Sequence, residues 1–164
     1  GNVTVIYETT VNNFAPLVQG SSINNTATIN AAGLSAPITV NETVVVRNIS
    51  DLTVSKSIAP ETVTENGEIT YTFVIQNNGN AEAGTADNAV INDTFNPILR
   101  NITVTYNGVT WTEGVNYTYD QSTGVFSTSP GQINVPPASY AQDPATGAIT
   151  TTPGVSVLTV TGTV

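Results

Sequence analysis

Three side chains able to react with one another fall on apolar strand faces of this sequence: Lys56, Asp93 and Asn25. In Leu52-Thr53-Val54-Ser55-Lys56-Ser57-Ile58, apolar and polar residues alternate. Strand side chains point alternately to opposite faces, so Lys56 shares a face with Leu52, Val54 and Ile58. The same phasing puts Asp93 with Ile91 and Phe95. It puts Asn25 with Ile23, Ala27 and Ile29. Lys56 is the only lysine of the chain. An ammonium turned into a core without a partner costs several kcal/mol, so this position calls for a partner or a reaction. A Lys56–Asp93 ion pair with an asparagine amide beside it satisfies the constraint. So does a lysine near a strand end whose amine reaches back to water.

The elements that carry these residues read as short strands. Alternation predicts Val3–Tyr7 continuing to Val11, then Ile23–Ile29, Ile38–Val46 and the Lys56 strand. The turn Glu65-Asn66-Gly67 leads into a strand with Ile69, Tyr71, Phe73 and Ile75 on one face. Asn77–Ala86 reads as a loop and Ala89–Phe95 as a strand. Ile102–Tyr106 and Val109–Thr112 form a hairpin around Asn107-Gly108. Tyr117, Tyr119, Asp120 and Gly124 mark another hairpin. Ser129–Gly147, with four prolines, reads as irregular, and Val155–Val164 as the last strand. No segment sustains a helical period, so the chain is expected to be all-β.

Composition excludes several functions. The 164 residues carry a net charge of −9, with Arg47, Lys56 and Arg100 the only basic residues. Nucleic acid and anionic membranes, which need basic patches, are not expected partners. Histidine, cysteine and methionine are absent, which removes the commonest general base, the thiolate nucleophile and the usual zinc ligands. No enzyme activity and no cofactor are expected. No apolar run is long enough for a membrane-spanning helix. The chain begins at Gly1 without a signal-peptide pattern and reads as a piece of a longer protein.

DLTVSKSIAPETVTENGEITYTFVIQNNGNAEAG followed by VINDTF resembles the start of the bacterial and archaeal cell-surface repeat domain DUF11. INNTATI followed by ITVNETVVV resembles that repeat's C-terminal end, here placed first. The resemblance implies an Ig-like antiparallel β-sandwich, a tandem-repeat module, in an extracellular stalk or filament. Residues 1–47 would finish one module, 48–50 link, and 51–164 make most of the next. An echo between the chain ends fits such an array: Gly1 matches Gly154, Val5 matches Leu158, and Thr10-Val11 matches Thr163-Val164.

The Lys, Asp and Asn types also resemble the set used by isopeptide domains of Gram-positive pilins and adhesins. There a buried neutral lysine attacks an asparagine amide with help from a protonated carboxyl. On that likeness Lys56 is the nucleophile, Asp93 the proton shuttle and an Asn25-type residue the acceptor. Asn25 precedes Lys56, so it is expected to serve the preceding module. The acceptor for Lys56 would then lie in a counterpart beyond Val164. Alternatively, residues 1–47 of one copy pack onto the body of another. The expected partners are therefore neighbouring copies or repeats.

Other signals are weaker. N-x-S/T sequons at Asn2, Asn24, Asn41, Asn48, Asn92, Asn101 and Asn116 slightly exceed chance and are expected to be bare. The Asn77–Asp87 loop has too few carboxylates for a Ca²⁺ site and reads as solvated. Trp111, Tyr106, Tyr117 and Tyr119 read as packing. An exposed sugar-stacking platform is the alternative, and it would make the chain an adhesin module for a glycan or host protein.

Overall fold

The computed structural model describes residues 4–164. Twelve strands follow in order: β1 (Ser22–Ile29), β2 (Ile38–Val45), β3 (Leu52–Ala59), β4 (Glu68–Asn77), β5 (Asn92–Thr94), β6 (Arg100–Tyr106), β7 (Val109–Thr110), β8 (Tyr117–Asp120), β9 (Val125–Thr128), β10 (Ser139–Gln142), β11 (Ile149–Thr152) and β12 (Gly154–Thr163). A single 3₁₀ turn, Thr85–Asp87, is the only helical element among the described residues. The protein is all-β and its named strand pairs are antiparallel. The chain divides into two compact units. One runs to Asn48 and includes Tyr140–Thr151; the other holds Ile49–Ser139 and Thr152–Val164.

The larger unit is a β-sandwich. Its first sheet has the order β3-β4-β12-β6-β7 and its second the order β5-β9-β8. In β4, alternation places Ile69, Tyr71, Phe73 and Ile75 in the core, and in β12 it places Leu158 and Val160 there. The second sheet answers with Tyr117, Tyr119 and Phe126. Phe95 joins the layers, stacking on Tyr71 at 4.7 Å between centroids and tilting against Phe126 at 5.6 Å. Offset and tilted ring pairs of this kind add to plain area burial.

Two asparagine-containing turns set the register. Asn107 and Gly108 both have positive φ, 49° and 79°, the geometry of a two-residue turn whose twist matches its strands. Tyr106 and Val109 accordingly pair directly. Asn66, at φ 60°, closes a longer β3–β4 connection, and its amide donates to the Val164 carbonyl at 2.7 Å. The last residue of the chain is thereby fastened to the sheet.

Asn77–Ala81 is not the solvated loop expected from its composition. Asn77 is fully buried and its Oδ1 accepts from the Asp51 and Gly79 amides at 3.0 and 2.9 Å. Its Nδ2 donates to the Ala81 carbonyl at 2.8 Å. Asn80 Oδ1 accepts from the Ile49 amide at 2.9 Å. The asparagines spend their amides on backbone and lock the chain entering β3.

The smaller unit contains the β1–β2 hairpin and most of the β10–β11 hairpin. Every residue of β1 and β2 is exposed. One face is a polar ladder in which Thr26 donates to Asn41 at 2.7 Å and Thr43 to Asn24 at 2.8 Å. These asparagines are two of the sequon positions, so their side chains serve the hairpin. The sequon at Asn2 lies outside the described residues. The expected first strand is not found over residues 4–11, which are exposed and form no ladder; Val3 lies outside the described residues. Alternation there has no partner strand, and a strand is defined by its pairing.

Candidate functional site

Lys56 stands in the middle of β3, opposite Phe73 of β4, with Val54 opposite Ile75 and Ile58 opposite Tyr71. Directly paired residues share a face, so Leu52, Val54, Lys56 and Ile58 do lie on the core side of the sheet. They are nevertheless exposed, Val54 at 60%. The reason is topological: β3 ends its sheet and β5 ends the facing one. Within this unit no strand covers the gap, so the sandwich is open along this side. The resulting groove has Leu52, Val54 and Lys56 on one wall, Val90, Ile91 and Asp93 on the other, and Phe73 and Ile75 at its base.

Within the groove the Lys56 ammonium donates to Asp93 Oδ2, spanning the two sheets. Asp93 Oδ1 accepts from the Thr94 amide at 2.9 Å. The ammonium also lies 4.6 Å from the Tyr71 ring centroid and 5.5 Å from those of Phe73 and Phe95, within cation–π range. The pair is half open to water, with 37% of the lysine side chain and 19% of the aspartate exposed. The burial expected from strand phase is therefore incomplete. Burial pushes the Tyr71 phenol above its ordinary value, and the nearby Asp93 carboxylate adds to the effect, followed by Tyr119. Tyr71 thus stays a neutral ring under the cation.

Lys56 and Asp93, chosen from strand phase, come together in one unit. Asn25 belongs to the other unit, where it pairs across the hairpin with Glu42 and its amide donates to the Tyr7 hydroxyl. The aromatic base under Lys56 was not singled out from sequence. Its signal was available, because Tyr71 and Phe73 occupy the apolar phase of β4, and Phe95 shares the phase of Asp93.

The remaining candidates resolve as packing. Tyr117 and Tyr119 are buried, and Trp111 stacks on the buried Tyr106 at 4.8 Å. The described residues hold no cluster of three or more acidic side chains able to bind a metal. No helix among them is long and apolar enough to cross a membrane. The chain matches no protein-family model, no curated protein and no solved structure.

Proposed function

We propose that this chain is a non-enzymatic structural module of an extracellular cell-surface stalk or fibre, of the DUF11 type. Its neighbours are copies or repeats of the same protein, and Lys56 with Asp93 forms the donor half of a Lys–Asn cross-link. The observation that carries this reading is the Lys56–Asp93 pair, set on Tyr71, Phe73 and Phe95 at the open side of a sandwich. A surface ion pair adds little stability. The chain nevertheless places its only lysine here, against a carboxylate able to take its proton. Covering the groove would take both groups out of water, and a dry site favours the neutral amine and the neutral carboxyl over the charged forms. Those are the protonation states that attack on an amide needs. Holding amine and amide together supplies the large effective molarity of an intramolecular reaction.

The test is intact mass of the assembled protein, with electrophoresis after boiling in detergent. A loss of one ammonia per bond, abolished in Lys56→Ala, is expected. Unchanged mass in fully assembled material would overturn the cross-link.

A further inference from the structure

The open groove has a counterpart elsewhere in the same chain. The second face of the β1–β2 hairpin carries Ile23 opposite Val44, Ala27 opposite Val40 and Ile29 opposite Ile38. These side chains are exposed, Val40 at 61% and Val44 at 68%. A contiguous apolar face on a two-stranded hairpin is not stable against water by itself and marks a contact surface. The face has one polar row, Asn25 opposite Glu42, near its middle. The groove is built in the same way. Apolar Leu52, Val54 and Ile58 flank a single polar position, Lys56 with Asp93, and β3 is eight residues long, as is β1.

We infer that the groove is the docking site for the β1–β2 hairpin of a second copy of this chain, whose Asn25 becomes the acceptor for Lys56. The inference rests on the structural reading above and names its partner. The donated β1 pairs with the free edge of β3 and extends the five-stranded sheet. Its inward residues Ile23, Ala27 and Ile29 then cover Val54 and Ile58. Asn25 falls beside Lys56, because directly paired residues on neighbouring strands have Cβ atoms about 5 Å apart.

The bond-forming step balances without a co-reactant. Once the groove is covered, the Lys56 ammonium gives a proton to Asp93. The free Nζ attacks Cγ of the partner's amide, and Asp93 returns that proton to the leaving nitrogen. The Cγ–Nδ2 bond breaks and ammonia departs. An amide joins Lys56 Nζ to Asn25 Cγ, and the second proton lost by Nζ leaves through Asp93.

Two full-length variants test the inference. Asn25→Ala keeps the groove and loses the acceptor, while Lys56→Ala keeps the hairpin and loses the nucleophile. Both substitutions are at exposed positions, and unchanged circular dichroism verifies the folds. Each variant alone is expected to stay free of detergent-resistant species. Mixed together, they should give a single cross-linked dimer, lighter than the two chains by one ammonia and no larger on longer incubation. Adding Ala27→Asp to the Lys56→Ala chain should abolish the dimer. Wild-type monomers that lose ammonia while the mixture stays unreacted would overturn the second copy as partner yet leave the cross-link standing. No ammonia loss in wild type or mixture would overturn both.

Discussion

The openness of the groove fixes how strongly Lys56 and Asp93 can hold one another in the free chain, and a double-mutant cycle measures it. The cycle compares Lys56→Met, Asp93→Asn and the double variant, all in an Asn25→Ala background that removes the acceptor. With 37% and 19% of the two side chains exposed, the pair belongs with solvent-screened ion pairs, worth about 0.2–1 kcal/mol. The Tyr71 ring, 4.6 Å from the ammonium, adds about 0.5–1 kcal/mol, and that contribution survives in Asp93→Asn. The coupling energy from urea unfolding of dilute monomer is therefore expected near 1 kcal/mol. Lys56→Met alone should cost no more than about 2 kcal/mol, since methionine still packs on the rings. The coupling should fall at high salt, where the screening length shrinks to about 3 Å near 1 M. A coupling above about 3 kcal/mol that ignores salt would refute this reasoning, because only a covered pair behaves that way. A covered pair would leave no groove for a second chain to enter.

Other positions make further tests. Asn77→Ala strips the acceptor from two backbone amides and the donor from the Ala81 carbonyl; at about 1–3 kcal/mol per stranded group, the loss of unfolding free energy should reach at least about 3 kcal/mol. Gly108→Ala and Gly124→Ala should differ although both glycines have positive φ, 79° and 77°. The first has open space around the new methyl and should cost only the left-handed strain of about 1–2 kcal/mol; the second would set its Cβ 2.5 Å from the Phe95 carbonyl and should cost clearly more in the same titration. Asp120 is held down to about 2 by the Ser122 hydroxyl and amide, then by the Thr123 hydroxyl. Because its folded value lies below the ordinary 3.8, its stabilisation is complete above that pH and lost as pH falls through about 2; carboxyl titration by NMR should give that midpoint, and Asp120→Asn should flatten acid unfolding in this window. Trp111→Ala removes the stack on Tyr106 and should lower stability by about 2 kcal/mol, with a matching shift of the unfolding midpoint.

Much of the sandwich was legible because its signals are local. β4 and β12 alternate over ten residues each, and Asn107-Gly108 marks the β6–β7 turn, which few other dipeptides make. The β10–β11 hairpin escaped because prolines dominate the reading of residues 129–147. Its signal lay in Asp143-Pro144-Ala145-Thr146-Gly147. There the Asp143 carboxylate accepts the Ala145 and Thr146 amides at 2.7 and 3.0 Å, and Gly147 takes φ 72°. β5 shrank to Asn92–Thr94 because Ile91 turns its amide to the Thr128 hydroxyl instead of a ladder partner. For Lys56, strand phase identified the face and the carboxylate. It could not tell whether that face is covered, because coverage depends on which strand lies alongside, a non-local fact that alternation does not encode.

The open edge must also be weighed against a simpler use of an inward lysine. Sheets blunt their edges with charged side chains so that stray strands do not add to them, and Lys56 on an edge strand fits that description at first sight. A blunting charge works by being costly to cover, so it works best when it has no partner inside. Lys56 has one: Asp93 neutralises it from the facing sheet, and three rings lie beneath the ammonium. A strand that covers this position buries a neutral pair, not a naked cation. The flanking Leu52, Val54 and Ile58 gain from the same event. The edge therefore favours a strand whose polar row meets the pair and whose remaining inward residues are apolar. That is the pattern of Ile23, Asn25, Ala27 and Ile29. Replacing Asp93 by alanine would restore a blunting lysine, and strand addition should then fail even where no covalent bond is needed. Replacing both Lys56 and Asp93 by leucine should permit a reversible, detergent-sensitive association through the same hairpin, measurable by light scattering. If the leucine pair stays monomeric at concentrations where the wild type assembles, the apolar groove is not what receives the strand.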